Sequence, residues 1–216
     1  MKAYYDRRAP WHDDYMNFTG NENMERLLKP VIDTIRPEIV NRRVLEIACG
    51  TGNWTEVLAK RASAVLAVDS SPAALCIARK KLSAYRNVTF KQVDAIELTG
   101  VTGPFDTAFA ADWYSHIPKS IVPSFLSALH TVVKAGCVVI FLDMAGREEL
   151  HKEIIGSDEE GNCISRRTLP DGSVFEVIKN FPTRDELRDS LNPWSEEFSY
   201  HEFESLQRCM VICRLK

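Results

Sequence analysis

The fold of this chain is decided by the stretch Val44-Leu45-Glu46-Ile47-Ala48-Cys49-Gly50-Thr51-Gly52-Asn53-Trp54. Residues 44–48 form a short apolar run of the kind found in buried strands. Two glycines follow in the turn, and residues 53–61 then show the apolar spacing of a helix. A turn without side chains lets a ligand lie against the backbone. The stretch therefore predicts a strand, a ligand-binding turn and a helix in direct succession.

The same alternation of apolar runs and helical patterns continues along the chain. Further strands are predicted over residues 64–68, 88–93, 105–111 and 137–142, and helices over 71–84 and 121–133. This alternation predicts an α/β fold, a Rossmann-like doubly wound sheet that is mostly parallel and covered by helices on both faces. No linker divides the chain, so we expect a single domain over residues 1–216.

The pattern changes after Met144. Residues 146–162 are polar with few apolar anchors and predict a mobile helix or loop. Runs at 164–169 and 174–181 flank Pro170-Asp171-Gly172-Ser173, which indicates a hairpin. A short helix is predicted over 183–191, because Thr183 and Glu186 have the spacing of a capping box. Closing strands, antiparallel to each other, are predicted over 198–203 and 209–215.

Composition narrows the class of protein. The chain has 216 residues, 45% of them hydrophobic, and a net charge of −3, which argues against binding nucleic acid through phosphate contacts. The six cysteines form no Cys-x-x-Cys pair and are interpreted as reduced, mostly buried thiols. The N-terminus lacks an apolar signal region, and no run approaches the ~20 apolar residues of a membrane span. We therefore expect a cytoplasmic protein without a membrane span.

Acidic residues stand at the ends of the predicted strands. Asp69, Asp94 and Asp112 follow the second, third and fourth strands, and Glu46 lies inside the end of the first. In an open parallel sheet, ligands bind outside the carboxyl ends of the strands, near the point where strand order reverses. A carboxylate at Asp69 can accept hydrogen bonds from both hydroxyls of a ribose. The spacing thus indicates an adenosine-type ligand without choosing the cofactor.

The glycine turn favours one cofactor over another. Dinucleotide-binding turns carry Gly-x-Gly-x-x-Gly, whose glycines admit a pyrophosphate. The corresponding residues here are Ala48-Cys49-Gly50-Thr51-Gly52-Asn53-Trp54-Thr55, with no third glycine. The carboxylate of Glu46 would repel phosphates but attract the cationic methionyl end of S-adenosylmethionine (SAM).

Four motifs in order then resemble those of class I SAM-dependent methyltransferases of the small-molecule, ubiquinone/menaquinone-biosynthesis-like type. Residues 46–52 resemble the first motif, with Ala48 in place of the usual glycine, and 65–69, 93–95 and 105–116 resemble the next three. Lys134-Ala135-Gly136-Cys137 resembles the turn before the fifth strand. The resemblance covers about residues 40–145 and implies a seven-stranded sheet of order 3-2-1-4-5-7-6 with one antiparallel strand. It also implies SAM as cofactor and S-adenosylhomocysteine (SAH) as product.

The resemblance carries over a set of cofactor-binding residues. Residues 1–30 are expected to form a helical lid over SAM, because Tyr4, Arg8 and Tyr15 match a Tyr-Tyr…Arg…Tyr segment of similar enzymes. The alternative is a frayed, solvated N-terminus. The expected cofactor-binding residues are Tyr4, Arg8, Tyr15, Glu46, Ala48, Gly50, Gly52, Asn53, Trp54, Asp69, Ser70, Asp94, Ala95 and Ala111.

Residues after the fourth strand are the candidates for the acceptor side. Methyl transfer is an in-line displacement on an O, N or C atom of a small-molecule acceptor, and His116 is the expected catalytic residue, as a general base that also binds substrate. The alternative is that His116 only orders its loop, since proximity suffices in many methyltransferases. Trp113 and Tyr114 are expected to form an aromatic wall for the substrate; the alternative is that one of them packs beneath the sheet.

The 145–181 insertion is expected near the substrate site. Its Arg166, Arg167 and Lys179 either hold an acidic substrate or form the solvated face of a strand, which is the favoured interpretation. His12, His130, His151 and His201 have no mutual spacing that suggests a metal site, so no metal is expected.

Other functions remain open. A nicotinamide-dependent oxidoreductase, a non-catalytic SAM-binding module, and a protein or RNA methyltransferase are alternatives to the small-molecule enzyme. The expected partner is a small-molecule acceptor and not nucleic acid, in a monomer or homodimer. The sequence leaves the acceptor itself unidentified.

Overall fold

A computed structural model describes residues 2–15, 24–145 and 153–216. The helices in these ranges are α1 Lys2–Arg8, α2 His12–Tyr15, α3 Met24–Leu27, α4 Lys29–Ile39, α5 Asn53–Ala59, α6 Pro72–Lys81, α7 Val122–Val132 and α8 Arg184–Leu191. The strands are β1 Arg43–Ile47, β2 Ala64–Asp69, β3 Val88–Gln92, β4 Phe105–Ala111, β5 Val133–Met144, β6 Ile154–Ser157, β7 Cys163–Thr168, β8 Val174–Ile178, β9 Ser195–Phe203 and β10 Arg208–Leu215.

Seven strands form one sheet in the order β3-β2-β1-β4-β5-β10-β9. Strand β10 runs antiparallel to both of its neighbours, whereas β1 is parallel to β2 and β4. Because β9 and β10 are the sixth and seventh strands of this sheet, the observed order is 3-2-1-4-5-7-6. The predicted strand order and the single antiparallel strand are therefore confirmed. The order reverses between β1 and β4, so a crevice opens at their carboxyl ends.

Helices pack on both faces of this sheet, as the alternation predicted. On one face Phe125 and Leu129 of α7 pack against Phe141 and other strand residues. On the other, Ile35 and Ile39 of α4 are fully buried in a cluster with β1, β2 and β4. Burial of each such side chain stabilises the fold by about 1.5–3 kcal/mol.

Helix α4 was not predicted from the sequence. Its buried residues Val31, Ile35 and Ile39 recur every four positions and form its inner face. Pro30 stands in its first turn, where the missing N–H costs no hydrogen bond.

The prediction of a loop over 146–162 is partly wrong. Residues 146–152 lie outside the described ranges, but 154–157 form β6, which pairs with β7. Together with β8 these strands make a separate antiparallel three-stranded sheet. Strand β6 is held by backbone pairing and not by side-chain burial, and its Ile155 is exposed. The pattern of apolar residues therefore did not predict this strand. The hairpin of β7 and β8, the capping box of Thr183 and Glu186, and the antiparallel pairing of the closing strands are confirmed.

Within the described ranges, no helix is both long enough and apolar enough to cross a membrane.

Candidate active site

A cavity of about 270 Å³ opens at the carboxyl ends of β1, β2 and β4. Its wall is formed by α1, the strand ends, the loop after β4 and the three-stranded sheet. The predicted site residues that line it are Tyr4, Arg8, Glu46, Ala48, Gly50, Asn53, Trp54, Asp69, Ser70, Asp94, Ala95, Ala111, Trp113 and His116. The fold thus brings together residues from positions 4 to 116 of the chain.

The turn after β1 depends on left-handed backbone at three positions. Ala48, Gly50 and Gly52 have φ of 53°, 55° and 86°. A Cβ at Gly52 would lie 3.0 Å from Leu82 Cδ1 and 3.1 Å from Ala78 Cβ. Gly52, expected to bind the cofactor, therefore lets the turn pack closely against α6 and is not part of the cavity wall. Gly50 does line the cavity and leaves its backbone open to a ligand.

Asp69 ties the end of β2 to this turn. One carboxylate oxygen accepts a hydrogen bond of 2.8 Å from the N–H of Gly50, and the other accepts one of 2.8 Å from Ser71. Burial raises the pKa of Asp69 despite these bonds. The backbone contacts were not foreseen: this carboxylate organises the turn as well as facing the cavity.

Glu46 lies beneath the same turn. It is only 2% exposed, and its Oε2 has no hydrogen-bond partner among the described residues. Burial raises its pKa to about 8, with the charge of Asp69 adding to the effect. The carboxyl is therefore largely protonated near neutral pH, and a nearby cation would favour its ionised form.

The N-terminal segment, residues 2–15, covers the cavity. Asp13 contacts the glycine turn, accepting hydrogen bonds from Thr51 and Asn53. Near the middle of the segment, Arg7 donates a 2.8 Å hydrogen bond to Asp171 in the turn between β7 and β8. The ring of Tyr4 is buried and packs 5.5 Å from that of Phe175. The side chain of Tyr15 lies outside the described residues.

Of the two aromatic residues after β4, only Trp113 lines the cavity. The expectation that Tyr114 forms a substrate wall is wrong. Its ring packs 4.8 Å from that of Phe141, and its hydroxyl lies 3.0 Å from Ser190 Oγ. Tyr114 is instead part of the core, because the loop after β4 directs the side chain that follows Trp113 away from the cavity and under the sheet.

His116 is buried at the cavity wall. Its Nδ1 lies 2.5 Å from the carbonyl oxygen of Ile178, which only accepts, so Nδ1 carries the proton and Nε2 is an acceptor. Burial and the charge of Lys179 lower the pKa of His116 to about 3. The ring of Tyr5 lies edge-on at 5.7 Å. The imidazole is thus neutral over the physiological range.

A buried polar cluster lies beside His116. Lys179, 3% exposed, donates hydrogen bonds to Ser115 Oγ at 2.6 Å and to Asp143 Oδ1 at 3.0 Å. The Lys179 ammonium holds the pKa of Asp143 below its usual value although burial opposes ionisation. Arg167 also lines the cavity, whereas Arg166 is exposed and paired with Glu176. The favoured interpretation of a solvated face therefore holds for Arg166 alone.

Sequence reasoning missed three residues of this region, Tyr5, Asp13 and Asp143, and it did not place Lys179 at the cavity. Asp143 stands near the end of β5, so the rule that placed acids at strand ends was sufficient to find it. Tyr5 and Asp13 lie in the aromatic N-terminal run, but nothing in that run tells which side faces the sheet. Among the residues described, no group of three or more His, Cys, Asp or Glu side chains could hold a metal ion.

A family model described as a methyltransferase domain matches residues 44–136. The ubiquinone biosynthesis O-methyltransferase of Acinetobacter baumannii is 28% identical over 136 residues, 62% of this chain and 56% of that protein. The enzyme of the same name from Azotobacter vinelandii is 32% identical over 48% of this chain and 44% of its own. The chain thus matches about half the length of these curated relatives.

Solved structures match over nearly the whole chain. The complex of DhpI with SAH has a TM-score of 0.77 and 28% identity, covering 99% of this chain and 94% of DhpI. The DhpI-SAM-HEP complex has a TM-score of 0.77 and 29% identity. A protein from Pyrococcus horikoshii, 19% identical with a TM-score of 0.77, shares the fold.

Proposed function

We propose that this chain is a class I SAM-dependent methyltransferase that transfers a methyl group from SAM to a small-molecule acceptor, because residues 44–136 match a family model described as a methyltransferase domain. Its fold and its similarity to DhpI along almost the full chain support the proposal. The names of the curated relatives favour an oxygen atom as the acceptor. The oxidoreductase alternative is set aside, because the matching domain is that of methyltransferases.

The turn after β1 carries the proposal. Asp69 holds the backbone of Gly50 open to the cavity, and the unpaired Oε2 of Glu46 lies buried beneath that turn. A sulfonium ligand with an ammonium group fits this environment, since a cation relieves the cost of ionising a buried carboxyl. Ribose hydroxyls fit Asp69, and the predicted roles of Asp94, Ala95 and Ser70 are part of the same proposal.

The chemistry needs positioning more than acid–base work. SAM supplies an electrophilic methyl group on its sulfonium. Trp113 and His116 bound the cavity beyond the glycine turn and would orient the acceptor for in-line attack. The neutral His116 offers Nε2 to take a proton from an acceptor hydroxyl, and an acceptor that is already ionised needs no such step. Residues 2–15 would then act as the lid that excludes water.

The setting of the reaction is part of the proposal. All six thiols are free, which supports a reducing compartment, and we propose the cytoplasm. The net charge of −3 supports a small molecule rather than nucleic acid as partner. We propose a single catalytic domain acting as monomer or homodimer, with residues 145–181 beside the acceptor.

The direct test is methyl transfer from SAM labelled in its methyl group. Purified chain is incubated with a panel of small hydroxy, amino and acidic compounds, and label is counted separately in small-molecule, protein and RNA fractions. Label in the small-molecule fraction with matching SAH formation is expected. Label in protein or RNA alone, or SAH binding without turnover on any compound, would overturn the small-molecule proposal.

A further inference from the structure

The charged residues of the cavity wall are segregated by sign. Its acidic members, Glu46, Asp69, Asp94 and Asp112, all come from strand ends of the large sheet or the loops just after them. Its arginine and lysine members are Lys2, Arg8, Arg167 and Lys179, from α1, the three-stranded sheet and the residue that follows β8. The acidic side suits a cationic methyl donor, so the basic side is left to the acceptor.

The basic side also has hydrogen-bond donors to spare. Lys179 has three N–H groups; Ser115 and Asp143 accept two of them, and the ammonium also lies 5.6 Å from the centroid of the Phe181 ring. The hydroxyl of Tyr5 is buried and has no hydrogen-bond partner among the described residues. Burial raises the pKa of Tyr5, so the hydroxyl remains a donor. Donors that are buried without acceptors are costly unless a ligand pairs with them.

The acceptor groups nearby are already engaged. Asp143 accepts hydrogen bonds from the N–H and Oγ of Ser115, from the N–H of Met144 and from Lys179. Because Asp143 balances the charge of Lys179, that pair is neutral as a whole. Arg167 pairs with Glu153, whose side chain is about half exposed, so solvent screens that pair more than the buried pair of Lys179 and Asp143.

Tyr5, Arg167 and Lys179 line the same cavity. Tyr5 lies edge-on to His116, and the charges of Arg8, Arg167 and Asp143 all act on the Tyr5 hydroxyl. An anionic group in this part of the cavity would accept from Tyr5 and Lys179 and pair with Arg167. A neutral oxygen would also accept from Tyr5 and Lys179, but it would not pair with the charge of Arg167.

We propose that the acceptor is a small organic acid whose anionic group, a carboxylate or a phosphorus oxyanion, binds between Tyr5, Arg167 and Lys179. This inference rests on the proposed function and names its substrate class. The cavity thereby separates a cationic donor from an anionic acceptor by the sign of its own charges.

The test uses inorganic phosphate and acetate as probes on the full chain saturated with SAH. Each is titrated calorimetrically at constant ionic strength, with sodium chloride as the reference salt. Phosphate or acetate is expected to bind to the wild type, and R167Q to weaken binding about tenfold, because a charge-assisted bond is lost. Y5F, which removes only the hydroxyl, should weaken it about fivefold.

Arg166→Gln is the matched control, since Arg166 is the neighbouring residue on the opposite face of β7 and its side chain is 56% exposed against 15% for Arg167. R166Q should bind the probes within about twofold of the wild type. If R166Q and R167Q weaken phosphate or acetate binding equally, or if R167Q and Y5F leave it unchanged, the bound anion is an adventitious ion only. Either result would overturn the proposal.

A second arm compares methyl transfer to small acids with transfer to their uncharged amides. Acids are expected to be preferred by at least about tenfold, and a preference for the amides would contradict the inference. The failures are distinguishable. If the chain binds SAH, binds neither anion and methylates neutral compounds, only the anionic acceptor is ruled out. If the chain does not bind SAH, the methyltransferase proposal itself is ruled out.

Discussion

Asp13 of the N-terminal segment accepts a 2.8 Å hydrogen bond from the side-chain amide of Asn53, the first residue of the helix after the glycine turn. The second oxygen of Asp13 accepts from Lys81 at 2.6 Å. Burial opposes ionisation of Asp13, yet the hydrogen bonds from Lys81 and the turn lower its pKa. This carboxylate thus ties residues 2–15 to the glycine turn and to the end of α6.

Asp13→Ala is expected to weaken SAH binding about tenfold, because the segment loses charge-assisted hydrogen bonds that keep it closed. Binding is measured by calorimetry. Asp14→Ala is the control, since Asp14 is exposed and adjacent; it should bind within about twofold of the wild type. Equal affinities for the wild type and D13A would show that the segment does not act as a lid.

Asp69→Ala is expected to weaken SAH binding by at least about 100-fold, since two charge-assisted bonds to the ribose are each worth about 1.5–3 kcal/mol. The same change frees the N–H groups of Gly50 and Ser71, so the melting temperature should also fall. Ser71→Ala separates the two effects: it removes the cap of α6, at a cost of about 1 kcal/mol, without touching the cavity carboxylate. If D69A binds like S71A, Asp69 is only a structural residue.

Glu46 predicts how stability depends on pH. Its pKa in the folded chain is about 8, above the ordinary value of 4.5. Between these values the unfolded chain loses a proton that the folded chain keeps. The stability that this group contributes is therefore complete below pH 4.5 and is lost as pH rises through 8. Urea unfolding at pH 6 and pH 8 should show a larger loss of stability in the wild type than in Glu46→Gln.

Ligand binding should show the opposite trend with pH. If the cationic end of SAM lies near Glu46, binding favours the ionised carboxyl and releases a proton. SAM affinity should then rise from pH 6 to pH 8, by at most about tenfold per pH unit. The glutamine variant removes this dependence. If SAM affinity depends on pH identically in the wild type and in Glu46→Gln, Glu46 does not interact with the cofactor.

His116→Ala is expected to lower kcat more than SAH affinity, by about 100-fold or more if Nε2 accepts the proton. Because the pKa of His116 is about 3, its ionisation should leave no step in kcat near pH 6.5. Turnover and its pH profile are followed by SAH formation. Unchanged kcat with a lower melting temperature would reduce His116 to packing.

Ala48→Gly should leave the chain as stable or stabilise it by up to about 1 kcal/mol. Alanine at φ 53° costs about 1–2 kcal/mol, which the greater entropy of glycine in the unfolded chain partly offsets. Ala73→Gly in α6 is the control and should lose about 0.5–1 kcal/mol. Urea unfolding at one pH compares them. Destabilisation by both variants would show that Ala48 is unstrained.

The sheet and its ligand edge could be predicted because they depend on local patterns. Apolar runs locate β1 to β5, and acids at strand ends locate Asp69 and Asp94. The apolar spacing of helix α4 was sufficient to predict it, although the sequence analysis did not do so. Strand β6 has no apolar alternation, because backbone pairing with β7 holds it. Lys179 could not be assigned to the cavity from sequence, since only tertiary packing pairs it with Asp143 across 36 positions. The same holds for Tyr114, whose direction is set by the loop.

The central claim is that the cavity at the end of β1 holds SAM. Calorimetric titration of the wild-type chain with SAH, and separately with NAD, tests it most directly. We predict one SAH bound per chain, with binding largely lost in Asp69→Ala, and no binding of NAD. Binding of NAD without binding of SAH would contradict the account.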